Sequence, residues 1–349
     1  MISAIKKPQS ICIMRLSAIG DICHAIATVQ AIQQRHPQAK ITWIIGKTEA
    51  QLVANLANIE LVIFDKKKGL GAYTDLYKIM RKRRFHILLH MQVALRASIA
   101  TLFIRAQEKW GFDKKRAREG QWLFTNRRIG AQSEPHVADG FWGFALAVGV
   151  SPSLSPVWSL PIQEKDERWC KKLTQGKPYV VISPAASKRE RNWLIQNYAR
   201  MAEYATDKGY SVFISGGPTL LEKNLSKSII QESQSLIVNL VGETSLTQLL
   251  TLIKFAKLVI APDSGPIHMA TIVQTPVIGL YAHSNPNRTG PYHYRNTCVS
   301  VYEELLLKQT GLTISQARWG KRLQGDDLMR RITVVEVKSC FDEIINGQV

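Results

Sequence analysis

The sequence predicts an α/β protein built from two doubly wound domains. Short apolar runs of strand length alternate with longer segments whose apolar residues recur at helical spacing. This alternation occurs twice, and a stretch rich in Pro and Ser at 151–161 separates the two series. The length of 349 residues and the hydrophobic fraction of 45% suit two cores, because a single core stops growing near roughly 250 to 300 residues.

The first series begins with the apolar run Ile11–Leu16, which has the length of a strand. Apolar residues at helical spacing follow over Asp21–Arg35 and predict a helix. Strand-like and helical segments then alternate over Ile41–Ile45, Glu49–Ala57, Leu61–Phe64, Tyr73–Arg83, His86–His90 and a helix from Ala94. Such a series predicts a parallel sheet with helices on both faces.

The second series repeats this pattern and ends in an amphipathic helix, Ile332–Ile345. Its earlier strands and helices are Tyr179–Ser183, Asn197–Lys208, Ser211–Ser215, Leu220–Gln231, Leu236–Leu240, Leu246–Phe255, Leu258–Ala261, Ile267–Val273 and Pro276–Tyr281. We expect an N-terminal domain at 1–155, a C-terminal domain at 156–330, and a helix within 331–349 that could pack back on the N-terminal domain. Because parallel sheets bind ligands at the carboxyl ends of their strands, a cleft between two facing domains is the predicted active site.

The composition excludes disordered, collagen-like and coiled-coil proteins. No apolar run approaches the roughly 18 to 20 residues of a membrane span, and the first ten residues lack the apolar core of a secretory signal. We therefore expect a cytoplasmic protein. The five cysteines are scattered without a C-x-x-C pair, so we interpret them as buried thiols rather than as disulfides or zinc ligands.

Basic residues are concentrated in the first half of the chain. The formal charge is +19, and residues 1–150 hold 23 Lys+Arg against 10 Asp+Glu. The clusters Lys66–Lys68, Arg81–Arg84 and Lys114–Arg118 could attract nucleic acid, anionic lipid or a phosphorylated substrate. A solvated surface remains an equally simple interpretation of these clusters.

The segment A-P-D-S-G-P-I-H-M-A at 261–270 lies between a predicted strand and a predicted helix. Gly265 lets a ligand approach the backbone, and the free N–H groups of the first helical turn favour an anion. This pattern indicates a phosphate site. An ordinary helix start, with Asp263 or Ser264 as N-cap and His268 in the core, fits the same residues.

The segment S-A-I-G-D-I-C-H at 17–24 follows the first strand. It lacks the G-x-G-x-x-G spacing of a dinucleotide fingerprint. Asp21 opens a helix, where the macrodipole favours an ionised carboxylate, so this residue could act as a general base. A plain N-cap is the simpler interpretation of Asp21 taken alone.

The segment S-P-A-A-S-K-R-E-R-N-W at 183–193 follows the first strand of the second series. Its cations could neutralise a diphosphate, with Arg191 or Lys188 as the better candidates. A solvated basic loop is the alternative.

The segment S-G-G-P at 215–218 ends another strand. Gly216 and Gly217 allow a sugar or base to approach closely, and Glu222 could accept hydrogen bonds from ribose hydroxyls. A plain turn also fits.

Together, the four segments resemble glycosyltransferase family 9, which contains the lipopolysaccharide heptosyltransferases, and look most like its heptosyltransferase I branch. The family pattern S-x-x-G-D followed by an early His is matched by Ser17, Gly20, Asp21 and His24. The pattern D-[ST]-G-x-x-H is matched by Asp263, Ser264, Gly265 and His268. The resemblance spans about Ile11 to Ile345.

This resemblance implies a GT-B fold of two Rossmann-like domains that face a cleft, with the acceptor on the N-terminal domain and the nucleotide sugar on the C-terminal domain. It implies no metal and no cofactor. Asp21 falls on the family's proposed catalytic base. We expect the donor-binding residues to be Ser187, Lys188, Arg191, Gly216, Gly217, Glu222, Thr244, Asp263, Ser264, Gly265 and His268. On the acceptor side we expect His24, Arg81 and Arg84.

The implied activity is inverting transfer of a heptose from ADP-heptose to the Kdo–lipid A inner core of lipopolysaccharide. The implied partner, besides these substrates, is the anionic inner face of the inner membrane, to which a cytoplasmic protein would attach peripherally. Nucleic acid is not an implied partner.

Two positions depart from the family pattern. Arg191 stands where the family often has Lys, with Lys188 three residues earlier, so either cation could contact phosphate. Thr244 stands where a larger apolar residue can pack on the base, which leaves the nucleobase open. The alternatives are a family member that uses another nucleotide sugar or acceptor, a nucleic-acid-binding protein, and an NAD-dependent oxidoreductase.

Overall fold

The structure, a computed structural model, describes residues 3–348 and forms two compact units, the first ending at Pro161 and the second beginning at Ile162. The strands of the first unit are β1 (Ser10–Met14), β2 (Lys40–Gly46), β3 (Ile59–Phe64), β4 (Phe85–His90), β5 (Ala106–Gly111) and β6 (Arg127–Arg128). Its α-helices are α1 (Ile19–Arg35), α2 (Ala50–Val53), α3 (Leu70–Met80), α4 (Leu95–Ala100) and α5 (Val137–Ala147). Single 3₁₀ turns lie at Lys66–Lys68, Thr101–Phe103 and Gln121–Leu123.

The six strands of the first unit form one parallel sheet in the order β3-β2-β1-β4-β5-β6. Strand β1 is central, and its residues Ile11–Met14 are fully buried, as a continuous apolar run requires of a strand covered on both faces. Strand β3 at the edge alternates instead: Val62 and Phe64 are buried and Ile63 is exposed.

The second unit repeats this architecture with a longer set of helices. Its strands are β7 (Tyr179–Ile182), β8 (Ser211–Ile214), β9 (Ile237–Asn239), β10 (Leu258–Pro262), β11 (Val277–Tyr281) and β12 (Cys298–Ser300). Its α-helices are α6 (Glu164–Thr174), α7 (Ile195–Asp207), α8 (Leu220–Glu232), α9 (Leu246–Phe255), α10 (Gly265–Ile272), α11 (Pro286–Thr289), α12 (Tyr302–Thr310) and α13 (Val334–Ile345). Its 3₁₀ turns lie at Arg189–Arg191, Arg295–Thr297 and Leu328–Arg331.

These strands also form one parallel sheet, in the order β12-β11-β10-β7-β8-β9. The predicted fold class is therefore confirmed: each half is a doubly wound α/β unit with its own six-stranded sheet. Both sheets reverse their strand order at the first strand of the unit, between β1 and β4 and between β7 and β10. Loops that leave neighbouring strands at such a point diverge and open a crevice for a ligand.

The boundary between the units lies slightly later than the one expected from the sequence, because the Pro-rich stretch stays bound to the first unit. Trp158 is buried and donates from Nε1 to the carbonyl of Cys23 at 2.7 Å. Ser159 exchanges two hydrogen bonds with the side chain of Gln30. These contacts hold the chain to α1 up to Pro161.

Several elements differ in extent from the predicted ones. Helix α2 covers only Ala50–Val53 of the predicted helix Glu49–Ala57, and α3 begins earlier than predicted, at Leu70. The five cysteines are free thiols: Cys12, Cys23 and Cys170 are buried, and the other two are half-buried. Among residues 3–348, no helix combines the length and apolar character needed to cross a bilayer.

The final helix, α13, packs within the second unit against α7, β11 and β12. A capping box starts it, in which Thr333 accepts from the N–H of Glu336 and the Glu336 carboxylate accepts from the N–H of Thr333. Phe341 is fully buried beneath the rings of Tyr204 and Tyr210, with ring centroids 5.6 and 6.0 Å away. The predicted packing of this C-terminal helix on the N-terminal domain stays a prediction.

We expect Phe341→Ala to lower the free energy of unfolding by about 3 to 5 kcal/mol, because it leaves a cavity between α13 and α7. The matched control is Val335→Ala on the same helix, where the side chain is 76% exposed and the change should stay within about 0.5 kcal/mol. Urea unfolding followed by circular dichroism measures both. Equal losses in the two variants would contradict the core role of Phe341.

Candidate functional site

The loops that follow β7 and β10 meet at the crevice of the second unit. Asp263 comes directly after β10, and its carboxylate is the centre of a polar cluster. Its Oδ2 accepts a hydrogen bond from the hydroxyl of Ser284 at 2.6 Å and lies 3.5 Å from Nη1 of Arg191. Its Oδ1 lies 4.0 Å from Nε2 of His268, one helical turn into α10. The side chains of Asp263 and Arg191 are only 11% and 10% exposed.

The loop after β7 supplies the cation of this cluster. Arg191 donates from Nη2 to the hydroxyl of Ser187 at 2.6 Å, and Asn192 accepts from the N–H of Ala186 at 2.7 Å, which closes the loop. Lys188 is exposed instead and lies 3.6 Å from the carboxylate of Glu190. Of the two cations expected to contact phosphate, Arg191 is the one held inside the crevice.

Helix α10 begins at the same place. Gly265 and Pro266 form its first turn, and Ser264 is the N-cap residue, yet its side chain makes no capping hydrogen bond. Its buried Oγ and the buried Nε of Arg191 find no hydrogen-bond partner among residues 3–348. A helix N-terminus with donors left over is suited to an anion, because its free N–H groups and the macrodipole attract negative charge. The interpretation of this segment as an ordinary capped start does not account for the uncapped hydroxyl.

The loop after β8 is braced by a carboxylate. Glu222 accepts from the N–H of Gly217 at 2.8 Å and from the hydroxyl of Thr219 at 2.5 Å. A Cβ at Gly217 would lie 2.9 Å from Oε2 of Glu222, so glycine leaves room for this brace. Both carboxylate oxygens of Glu222 therefore have a partner inside the loop, and its predicted hydrogen bonds to a ribose stay a prediction.

The loop after β9 lies beside the loop after β8. Gly242 donates from its N–H to the carbonyl of Gly216 at 3.0 Å, and a Cβ at Gly242 would lie 3.2 Å from the Cα of Pro218. Thr244 follows as a half-buried residue just before the N-cap of α9, Ser245. Thr244 therefore lies two residues after the contact of Gly242 with Gly216, and its predicted role in donor binding stays a prediction.

The loop after β11 contributes residues that the sequence analysis missed. Ser284 and Thr289 both direct hydroxyls at Oδ2 of Asp263, at 2.6 and 3.5 Å. His283 is buried, with Nδ1 3.1 Å from the carbonyl of Leu323. The available signal was the turn S-N-P directly after a buried strand, in which Asn285 caps α11 with Pro286 at its first position.

The crevice of the first unit holds Asp21. This residue lies in the first turn of α1, and its Oδ2 accepts from the N–H of Ala18 at 3.3 Å. It forms an ion pair with Nη2 of Arg15, the residue that follows β1. Arg15 is nearly buried, donates from Nη1 to the carbonyl of Met91 at 2.6 Å, and lies 5.0 Å from the ring of Phe141. Burial lowers the pKa of Arg15, and the charge of Asp21 opposes this shift.

His24 lies three residues beyond Asp21 on α1 and is buried. It is 3% exposed, and its ring packs edge-on against that of His136 with centroids 5.2 Å apart. Nδ1 of His136 accepts from the N–H of Ala138 and caps α5. His24 therefore has a packing role between α1 and α5, and its predicted acceptor contact stays a prediction.

A cavity of about 200 Å³ opens at the carboxyl ends of β1, β2 and β3 in the first unit. Its cationic lining residues are Lys47, Lys66, Lys67 and Arg96. Asp65, Glu49 and Ser17 also line it, so it adjoins the loop between β1 and the helix that carries Asp21. Lys66 and Lys67 of the basic cluster 66–68 therefore line this cavity, although they are not among the acceptor-side residues expected from the sequence.

Two of the basic clusters contain an arginine that is already paired with a carboxylate and so is less available to bind an anion. In the cluster 81–84, Arg83 pairs with Glu60 at 2.7 Å, whereas Arg81 and Arg84 are exposed. In the cluster 114–118, Arg116 is buried and pairs with Asp113 at 3.1 Å. The interpretation of Arg116 as a surface cation was wrong, because a nearby carboxylate draws the side chain inside.

The described residues, 3–348, contain no group of three or more His, Cys, Asp or Glu side chains placed to hold a metal ion. Positive charge in the crevice of the second unit comes instead from Arg191 and the start of α10.

Comparison with known proteins finds relatives that match over nearly the whole chain. The model of the family described as glycosyltransferase family 9 (heptosyltransferase) matches residues 73–314. The lipopolysaccharide core heptosyltransferase OpsX of Haemophilus influenzae is 45% identical over 331 residues, which cover 95% of each chain. A family 9 glycosyl transferase from Veillonella parvula has a TM-score of 0.79 at 18% identity and covers 97% of each chain. The ADP-heptose heptosyltransferase II of E. coli has a TM-score of 0.73 at 19% identity and covers 97% of this chain and 99% of that chain. The likeness to these two structures confirms the GT-B fold.

We expect Arg191→Ala to weaken ADP binding at least about tenfold, because it removes the buried cation of the crevice. The matched control is Lys188→Ala, which removes an exposed cation of the same loop and should change the affinity less than about threefold. Isothermal titration calorimetry measures both, and Arg191→Lys tests whether charge alone suffices. A larger loss for Lys188→Ala than for Arg191→Ala would reverse the assignment.

Proposed function

The chain belongs to glycosyltransferase family 9 and is a glycosyltransferase, and on this premise we propose that it transfers a heptose from ADP-heptose to the Kdo–lipid A inner core of lipopolysaccharide. The 45% identity with a lipopolysaccharide core heptosyltransferase supports this choice of substrates. Membership of this family also favours a glycosyltransferase over the two alternatives from other functional classes, a nucleic-acid-binding protein and an NAD-dependent oxidoreductase. Incubation with both substrates should release ADP and yield a lipid enlarged by one heptose.

The observation that carries the proposal is the anion-binding arrangement around Asp263. A diphosphate at the start of α10 would meet the N–H groups of its first turn, the free hydroxyl of Ser264 and the guanidinium of Arg191. Asp263 holds that guanidinium in place together with Ser187. Fixed donors of this kind stabilise charge as it develops on a leaving diphosphate, without reorganisation during the reaction.

Asp21 is the proposed general base. Its carboxylate would take the proton from the acceptor hydroxyl as the oxygen of that hydroxyl bonds to the anomeric carbon of the heptose. The bond from that carbon to the diphosphate breaks on the opposite face, so the configuration inverts and ADP leaves with the electron pair. Arg15 and the N–H of Ala18 each contact the Asp21 carboxylate and fix its position for this step.

We expect Asp21→Asn to reduce kcat at least about a hundredfold, since an amide cannot accept the proton. Affinity for ADP should stay within about threefold, because the base acts on the acceptor and not on the nucleotide. Single-turnover kinetics and calorimetry give the two numbers. A kcat near that of the wild type would remove Asp21 from the base role.

The acceptor side of the proposal rests on charge. Lipid A carries phosphates, and the cavity lined by Lys47, Lys66, Lys67 and Arg96 lies next to the loop that precedes the helix of Asp21. Arg81 and Arg84 are exposed cations of the same unit. We therefore assign the first unit to the acceptor and to the inner face of the inner membrane, with attachment from the cytoplasm by charges worth roughly 1 kcal/mol each near anionic lipid.

We expect the double variant Arg81→Gln/Arg84→Gln to bind anionic vesicles more weakly and to raise the KM for the lipid acceptor a fewfold, with ADP affinity unchanged. Salt should weaken vesicle binding of the wild type, because the Debye length falls from about 10 Å at 0.1 M to about 3 Å at 1 M. The matched control is Lys114→Gln/Lys115→Gln, an exposed pair elsewhere in the unit. Co-sedimentation unaffected by both variants and by salt would contradict an electrostatic attachment.

The identity of the nucleotide sugar depends on two residues of the second unit, Thr244 and Glu222. Thr244 is small and half-buried at the place expected to face the base, and Glu222 is already engaged by Gly217 and Thr219. A family member that uses another nucleotide sugar therefore remains the second candidate. Thermal-shift screening against ADP-, UDP-, GDP- and dTDP-sugars decides between them: ADP-heptose should give the largest stabilisation, as mass action requires of the tightest ligand.

A further inference from the structure

Helix α4 and the 3₁₀ turn that follows it show an inverted pattern of burial. Leu95, Ile99 and Leu102 are 48%, 37% and 63% exposed and follow one another at helical spacing. The residues of this segment that face the core are small: Ala97, Ser98, Ala100 and Thr101 are all buried. A surface helix of a globular protein normally buries its large apolar residues. This exposed apolar stripe therefore indicates a surface that is covered by a binding partner.

Helix α3 adds two more exposed apolar side chains beside this stripe. Leu70 is 84% exposed and Tyr77 is 48% exposed, seven residues apart on one face of the helix. The ring of Tyr77 lies 6.0 Å from that of Phe103, the residue after Leu102. Tyr73 between them donates its hydroxyl to the carbonyl of Arg96 at 3.2 Å. The two elements thus pack side by side, and we call Leu70, Tyr77, Leu95, Ile99 and Leu102 the α3–α4 surface.

Cations surround the α3–α4 surface. Lys66 and Lys67 precede α3, Arg81 and Arg84 follow it, and the α4 segment contributes Arg96 and Arg105, all of them exposed. Of the acidic groups nearby, Asp75 pairs with Lys68 at 2.7 Å, Asp65 lies 3.9 Å from Nζ of Lys47, and Glu119 accepts from the N–H of Leu95 at 2.7 Å. An apolar centre with a basic rim matches the boundary between acyl chains and anionic headgroups.

A second copy of the chain fits this surface poorly. A two-fold contact through the α3–α4 surface would bring the same basic rim against itself, and like charges across an interface cost several kcal/mol. An anionic bilayer offers the complementary charge instead. Lys66, Lys67 and Arg96 belong both to this rim and to the lining of the cationic cavity near Asp21.

We propose that the α3–α4 surface inserts shallowly into the anionic lipid surface, with the apolar side chains of Leu70, Leu95, Ile99, Leu102 and Tyr77 among the acyl chains. The basic rim then lies at the level of the phosphates, and the cavity opens at the membrane surface where an embedded acceptor presents its sugars. The inference deepens the proposed function and rests on it only for the identity of the acceptor.

The test replaces two apolar side chains without changing charge, in the variant Ile99→Gln/Leu102→Gln. The matched control is Leu236→Gln/Val335→Gln, which alters side chains that are 88% and 76% exposed in the second unit. Vesicles contain phosphatidylcholine and phosphatidylglycerol at about three to one, in about 0.1 M NaCl. We expect the first variant to bind roughly five- to tenfold more weakly than the wild type and the control to bind as the wild type does.

Turnover on two acceptors separates this inference from the proposed function. With the acceptor embedded in vesicles, Ile99→Gln/Leu102→Gln should raise KM in parallel with its loss of binding. With a deacylated, water-soluble acceptor, it should match the wild type, which also shows that the variant folds. If the wild type transfers no heptose to either acceptor, the proposed function is wrong. The vesicle-binding measurement would still test whether the α3–α4 surface binds lipid.

Two outcomes would overturn the inference. One is vesicle binding by Ile99→Gln/Leu102→Gln equal to that of the wild type. The other is a wild-type dimer in analytical ultracentrifugation that this variant converts to a monomer, since the α3–α4 surface would then join two copies of the chain.

Discussion

The reversal of strand order in each sheet is the constraint on which the rest of the structure depends. In a parallel sheet all the loops at one edge leave carboxyl ends, and only at the reversal do neighbouring loops turn to opposite faces. In the first unit this point lies between β1 and β4, and in the second between β7 and β10. Three of the four segments that carry the family resemblance come after β1, β7 and β10, so the topology gathers these three into two crevices, and the fourth follows β8, the neighbour of β7.

Each crevice is joined across the reversal by one buried arginine. Arg15 follows β1 and reaches the carbonyl of Met91 after β4, and Arg191 follows β7 and reaches Asp263 after β10. Buried ion pairs contribute little net stability, because desolvation offsets the attraction between the charges. Hydrophobic pairs of similar volume would serve the fold as well. Under the proposed function, the Arg–Asp pairs at both reversals would serve to position Asp21 and the diphosphate of the donor rather than to stabilise the fold.

The sequence predicts the continuous and strongly periodic parts of this structure and misses the parts that tertiary contacts decide. Central strands such as β1 are apolar runs, and α1 has a long apolar stripe, so both were predicted. Arg116 was predicted to be a surface cation because the sequence does not show that its side chain pairs with Asp113. Only the folded turn brings the two side chains together inside the protein. Ser284 lies 21 residues beyond Asp263, and only the pairing of β10 with β11 brings their loops together. The motif segments were found because each begins near the end of a strand and leads into the helix that follows.

Helix α4 shows why periodicity alone can orient a helix wrongly. Its spacing of Leu95, Ile99 and Leu102 would predict that this stripe faces the core. In the structure this stripe faces outward, and Ser98 lies on the inner face of the helix, with its hydroxyl 2.9 Å from Nε2 of the buried His90 on β4. Burial, together with the charges of Arg15 and Lys109, lowers the pKa of His90 to about 3, so the imidazole is neutral and its close contact with a hydroxyl is favourable. Small side chains on the inner face of α4 allow this approach, and the large apolar ones are left on the outer face, where they form part of the α3–α4 surface.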